Sequence, residues 1–354
     1  MSDDVYKKLA ACLDSLPNGF PPTEDGAELR LLGYIFSPNE AELACQLTDS
    51  LETPAQIAQR IGGDARELRN ELKSMAKKGL IKAGPIEGRL GYGLLPFVVG
   101  IYEFQIGRID EEMAQLFEDY YLQSFGKLME ISPQVHRVIP VHETIKAGME
   151  VRPYESAAEI IDRMKSWGVM ECICRKQKAL IGDPCEHPLE VCMTFSEREG
   201  AFTNNSVVRR LSKQEAFDVL ELAANAGLVH TVSNNQQGVW YICNCCTCSC
   251  GILRGMAELG IANVVARSAF INVVDEDLCT GCEACIDQCP FDAISMDMGL
   301  AVVNDIRCVG CGVCVLSCGV GALSLERRPE EENSPVPLTE EEWGEQRAKA
   351  RGIK

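Results

Sequence analysis

All nineteen cysteines of the chain except Cys12 and Cys45 lie between residues 172 and 318, and eight of them form two matching runs. Cys279, Cys282, Cys285 and Cys289 make the first, and Cys308, Cys311, Cys314 and Cys318 the second. Each reads C-x2-C-x2-C-x3-C, a spacing by which thiolates hold cubane iron–sulfur clusters. A shift of 29 residues superposes the runs without a gap and carries Val273 onto Val302, Val274 onto Val303, Gly281 onto Gly310, Ala293 onto Ala322 and Ser295 onto Ser324. Duplication that keeps register through both ligands and apolar flanks points to single-electron chemistry. Zinc suits C-x2-C pairs but does not require four cysteines in each of two repeated runs.

Residues 271–326 resemble a bacterial ferredoxin with two 4Fe-4S clusters. In that family the fourth cysteine of each run ligates the other cluster. The resemblance therefore implies one cluster on Cys279, Cys282, Cys285 and Cys318 and another on Cys308, Cys311, Cys314 and Cys289. Gly281 and Gly310 would let the loops close, because glycine tolerates positive φ. Pro290 follows the first run as in the family, whereas Gly319 replaces the second proline and bears on how rigidly that loop is held.

Nine further cysteines fall upstream. Cys172, Cys174, Cys185 and Cys192 bring four thiolates near Arg175, Lys176 and Lys178, and Asp183-Pro184 and His187-Pro188 force turns between them. An additional cluster or a structural zinc would use such a set. Cys243, Cys245, Cys246, Cys248 and Cys250 are too many for one cubane. Strand alternation would put Cys243 and Cys245 on one face and Cys246, Cys248 and Cys250 on the other, so that they could serve two sites, one shared with the Cys172 group. One or two further 4Fe-4S clusters, or zinc, are thus expected from this region. Cys12 and Cys45 read as small hydrophobes on helical faces. His136, His142 and His230 lack metal-like spacing, and His187 is a weaker ligand candidate than any cysteine.

The elements that must position these residues suggest an α+β multidomain chain. Residues 1–24 form an N-terminal segment, and residues 25–105 resemble a winged-helix domain. Its helices begin at Ser37-Pro38, Thr53-Pro54 and Asp64, and a strand from Leu80 leads to a wing turn at Glu87-Gly88-Arg89. A helical linker, 106–166, precedes a cysteine-rich middle domain, 167–262, in which a helix capped by Ser212 and Glu215 leads into a hairpin around Asn234-Asn235. A two-cluster ferredoxin-like (βαβ)2 module, 263–328, and a peripheral charged tail, 329–354, complete the order.

The net charge of −18 opposes non-specific attraction to nucleic acid or anionic membrane. Nineteen cysteines without a secretory pattern at Met1 to Leu9 suit metal thiolates in a reducing cytoplasm and an anaerobic setting. The uncharged stretch Leu90 to Tyr102 is broken by Pro96 and is too short for a membrane span. The sequence shows neither a glycine-rich dinucleotide fingerprint after a strand nor a nucleophile arrangement, so substrate chemistry is expected to belong to a partner. The leading expectation is an electron-transfer subunit or carrier whose redox partner docks on the acidic cysteine-repeat region. The alternative is a redox-responsive regulator that inserts the helix bearing Arg66, Asn70, Lys73 and Lys77 into DNA.

Overall fold

In the computed structural model, which describes residues 2–141, 144–203, 205–261 and 264–353, the chain divides into two units. The first comprises residues 1–128, 176–183 and 351–354, the second 129–175 and 184–350. The stretch read as a linker is thereby shared between both.

The first unit contains α1 (Ser2–Asp14), α2 (Ala27–Ile35), α3 (Pro38–Cys45), α4 (Pro54–Ile61), α5 (Ala65–Lys77), β1 (Ile81–Ile86), β2 (Arg89–Leu94) and α6 (Glu111–Gln123). Ser37 with Glu40 and Thr53 with Gln56 form reciprocal capping boxes ahead of prolines, which explains where α3 and α4 start. Leu72 and Met75 bury one face of α5. β1 and β2 pair antiparallel across Glu87-Gly88, both at positive φ, the conformation of a tight hairpin turn. Phe20, Phe97, Tyr102, Phe117, Tyr120 and Phe125 pack into a connected aromatic core.

In the second unit a six-stranded antiparallel sheet has the order β3-β7-β8-β5-β4-β6. Its strands are β3 (His136–Val138), β4 (Ser166–Glu171), β5 (Glu190–Ser196), β6 (Arg209–Leu211), β7 (Val229–Ser233) and β8 (Tyr241–Cys245). α7 (Ala157–Arg163) and α9 (Lys213–Asn225) bury Ile160, Ile161, Ala216 and Val219 against Val169, Met193, Val232 and Ile242 of this sheet. The expected helix and hairpin correspond to α9, β7 and β8, but the hairpin is part of a larger sheet. α8 (Ile173–Leu180) starts directly after β4, and α10 (Arg254–Glu258) follows the turns after β8.

The cysteine repeat folds with its duplication visible. β9 (Phe270–Val274), α11 (Ala284–Asp287) and β10 (Ile294–Asp297) are followed by β11 (Leu300–Val303), α12 (Val313–Leu316) and β12 (Leu323–Arg327). β9 pairs with β12 and β10 with β11, and the pairs Val274↔Leu323 and Val303↔Ile294 are related by the same 29-residue shift.

The tail is not peripheral. In α13 (Glu340–Ala350) the indole of Trp343 donates to Gln134 O at 2.9 Å, and the fully buried Arg347 guanidinium donates to Pro133 O at 2.8 Å. Trp343 and Arg347 stand four residues apart and share a helix face that a charge count alone conceals. No helix among the described residues is long and apolar enough to cross a membrane.

Candidate metal centres

In the repeat, Cys279, Cys282, Cys285 and Cys318 line one cavity together with Gly281, Met296 and Leu323. The fourth cysteine of the second run thus joins the first three of the first run. Cys289 stands apart from that cavity, where its charge is felt by Cys311 and Cys314 and it feels that of Cys308. Burial pushes the Cys311 thiol up to about 12 and also raises Cys314. Such thiols must lose their protons to a metal that binds them.

Backbone amides aim at the sulfurs in matching pairs. Ala293 N donates to Cys289 Sγ and Ala322 N to Cys318 Sγ, each at 3.2 Å. One bond breaks the symmetry: buried Asn272 donates through Nδ2 to Cys314 Sγ at 3.2 Å, whereas the residue one repeat onward is Ala301. Gly281 and Gly310 have φ of 68° and 67°. A Cβ at Gly281 would meet Gly299 O at 2.4 Å and one at Gly310 would meet Phe270 O at 2.0 Å, so both loops require glycine for space as well as conformation. Four thiols about one cavity, inward amides and a backbone approach closed to any side chain suit a cluster.

The middle site is built at one end of the six-stranded sheet. β4 ends beside Cys172, the first turn of α8 carries Cys174, Cys192 is the third residue of β5, and β8 finishes with Cys243 and Cys245. The pairings Met170↔Cys192 in β4–β5 and Met193↔Ile242 in β5–β8 bring these ends together. Six thiols, those of Cys172, Cys245 and Cys250 buried and the others half-buried, form a closed circuit of neighbours in the order Cys172, Cys174, Cys250, Cys245, Cys243, Cys192 and back to Cys172. Thr231 of β7 adds a hydroxyl 3.5 Å from Cys245 Sγ.

Cys185 does not share this circuit with Cys172, Cys174 and Cys192. It gathers with His187, Cys246 and Cys248, whose ligand atoms all lie within 4.8 Å of one another. Alternation correctly separates Cys243 and Cys245 from Cys246 and Cys248. It misplaces Cys250, because β8 ends at Cys245 and the following turns bring Cys250 back to the first group.

Residues 272–295 match the family model of the 4Fe-4S binding domain. The chain is an iron–sulfur protein. The matched segment of this iron–sulfur protein holds the whole first run, and the second run follows it. Comparison with curated proteins and with solved structures gives no match.

Arg175 is the functional residue of the iron–sulfur protein that spacing alone undervalues. Its guanidinium is buried, donating to Pro188 O at 2.9 Å and Asn244 O at 2.8 Å, and it stays charged because Cys172, Cys246, Cys245 and Cys192 surround it. A hydrogen bond from Cys174, a second from Cys192 and the Arg175 charge hold Cys172 well below the ordinary thiol range. Hydrogen bonding from Cys248, with His187 and Arg175 nearby, lowers Cys246 to about 3. Hydrogen bonds from Cys243 and Cys250 lower Cys245 to about 6. The signal in the sequence was its place directly after C-x-C, where a buried cation offsets thiolate charge.

The remaining candidates occupy packing positions. His136 is buried and burial lowers its pKa to about 3, so it is neutral at neutral pH. His230 Nδ1 lies 2.6 Å from Asn244 Oδ1, and His142 falls outside the described residues. Cys12 and Cys45 are only half-buried and adjacent, with the Cys12 thiol 3.8 Å from Cys45 O, so they are not independent apolar fillers.

Proposed function

We propose that this protein relays single electrons between redox partners through two 4Fe-4S clusters, one held by Cys279, Cys282, Cys285 and Cys318 and the other by Cys308, Cys311, Cys314 and Cys289. The observation that carries this reading is that Cys318 of the second run lines the cavity of Cys279, Cys282 and Cys285, which supports an exchange of fourth cysteines between the runs. Exchange obliges the two sites to share a wall. Cys285 and Cys314 pack into a single apolar cluster with Cys279, Cys289 and Cys318 around them. Bound clusters supply reversible one-electron chemistry at potentials set by charge, hydrogen bonds and exposure. The chain's own residues set those terms: amides and Asn272 donate to sulfur, and apolar walls limit water.

A third iron–sulfur centre in the six-thiol circuit belongs to this reading. Its cysteines are buried or half-buried, exceed the four that a cubane takes, and have Arg175 to offset their charge. The partner would dock at the exposed acids Glu276, Asp277 and Glu283, which flank the exposed Cys282. α5 exposes Arg66, Arg69, Lys73 and Lys77 against Glu67 and Glu71, but residues 25–95 as a whole carry ten acids and nine bases, a balance that favours a protein over a nucleic-acid partner.

The test is iron and acid-labile sulfide per chain in anaerobically purified protein, with electron paramagnetic resonance of the reduced state. The expected content is about twelve irons, against about eight for the C-terminal pair alone. Colourless protein, or zinc in both runs, overturns the electron-transfer reading; eight irons would remove only the third centre.

A further inference from the structure

We propose that Cys185, His187, Cys246 and Cys248 form a mononuclear tetrahedral zinc site, separate from the six-thiol circuit and from the C-terminal pair. The inference goes beyond the electron-transfer reading and does not depend on it. Two short chelating segments meet here: Cys-x-His in the turn before β5, and Cys-x-Cys in the turn after β8. Their approach follows from the sheet, in which β5 and β8 are antiparallel neighbours and Asn244 Nδ2 donates to Val191 O at 2.7 Å.

The spacing selects the kind of centre. Zinc binds sulfur at about 2.3 Å and nitrogen at about 2.0 Å, so the corners of its tetrahedron stand about 3.8 Å apart or slightly less. Cys248 Sγ and His187 Nδ1 are 3.8 Å apart, and all four ligand atoms fall within 4.8 Å of one another. A cubane places an iron and a sulfide edge between its thiolates and needs them on the order of 6 Å apart. Four ligands this close surround one ion and leave no room for four irons.

The donor set agrees. Three thiolates and one imidazole make a closed structural zinc site with net charge near −1, and the buried Arg175 guanidinium lies where it interacts with Cys246 as well as with the neighbouring circuit. Outer contacts orient the ligands: Ser249 Oγ donates to Cys248 Sγ at 3.8 Å, and buried Cys246 packs with Val191, Ala223 and Leu228. The ion would tie together the two turns that flank Cys192 and Cys243, fixing the frame of the six-thiol circuit without exchanging electrons.

The test measures metals and sulfide in anaerobic full-length protein, together with zinc-edge X-ray absorption. Expected are one zinc per chain and a shell of three sulfurs and one nitrogen. Cys248→Ser, at an exposed position, should reduce zinc at least tenfold while iron, sulfide and the reduced-state resonance of the C-terminal centres persist. His187→Cys should retain zinc in an all-sulfur shell. Absence of zinc from the wild-type protein, mononuclear iron at this position, or loss of iron and sulfide in place of zinc on Cys248→Ser overturns the proposal. The wild-type absorption spectrum decides the ligand shell even if a variant fails to fold. Zinc retained in a protein without iron would uphold this site and defeat the electron-transfer reading.

Discussion

Asn272 distinguishes two otherwise repeated cysteine environments. Its amide donates to Cys314 Sγ from a buried position, and the 29-residue repeat offers Ala301 in its place beside the other group. A hydrogen bond to thiolate sulfur stabilises the more negative, reduced state more than the oxidised one, so it raises the reduction potential. On the proposed assignment, the centre held by Cys308, Cys311, Cys314 and Cys289 should lose this advantage in Asn272→Ala. Its midpoint is expected to fall by about 60 mV, which for one electron corresponds to about 1.4 kcal/mol. The other centre should stay put. A redox titration followed by electron paramagnetic resonance checks this, and equal shifts in both centres would refute the local mechanism.

The two loops make different demands of their glycines. Gly310 holds φ of 67° with Phe270 O at 2.0 Å from the place a Cβ would occupy. Gly319, where the resembling family has proline, has open space around that position. Gly310→Ala should therefore displace the loop and remove about four irons per chain, whereas Gly319→Ala should keep full iron content. Iron analysis of the two variants beside wild type is enough, and retention of all iron in Gly310→Ala would contradict the steric argument. These loops are legible in the sequence because their ligands are local and their duplication exposes the register. Helix starts at Ser37, Thr53 and Ser212 were legible for the same reason, since each capping box lies within four residues. The middle site was only half legible. Alternation along β8 separated Cys243 and Cys245 from Cys246 and Cys248, but nothing local announces that β5 pairs with both β4 and β8. That non-local order joins Cys192 to Cys172 and Cys243, and it brings His187 to Cys246 and Cys248.

Charge and exposure give the second unit a direction for exchange. Cys308, Cys311 and Cys314 are buried, while Cys282 is exposed, near a hairpin tip where Met298 is 96 % exposed. Gly281 lies against Gly299 of that tip, and exposed Glu276, Asp277, Glu283 and Asp297 surround the region. Electrons should therefore enter or leave on the Cys282 side, and the negative field there should favour cationic reagents. Reduced protein mixed rapidly with hexaamminecobalt(III) should be oxidised more slowly as salt rises, because ions screen the attraction. With anionic ferricyanide the salt dependence should have the opposite sign. Neutralising Glu276→Gln, Asp277→Asn and Glu283→Gln together should flatten both dependences while leaving iron content unchanged. If the triple variant keeps the wild-type salt response, exchange takes place elsewhere on the molecule, since long-range attraction from the protein's overall charge of −18 survives the loss of three acids but a local exit face does not.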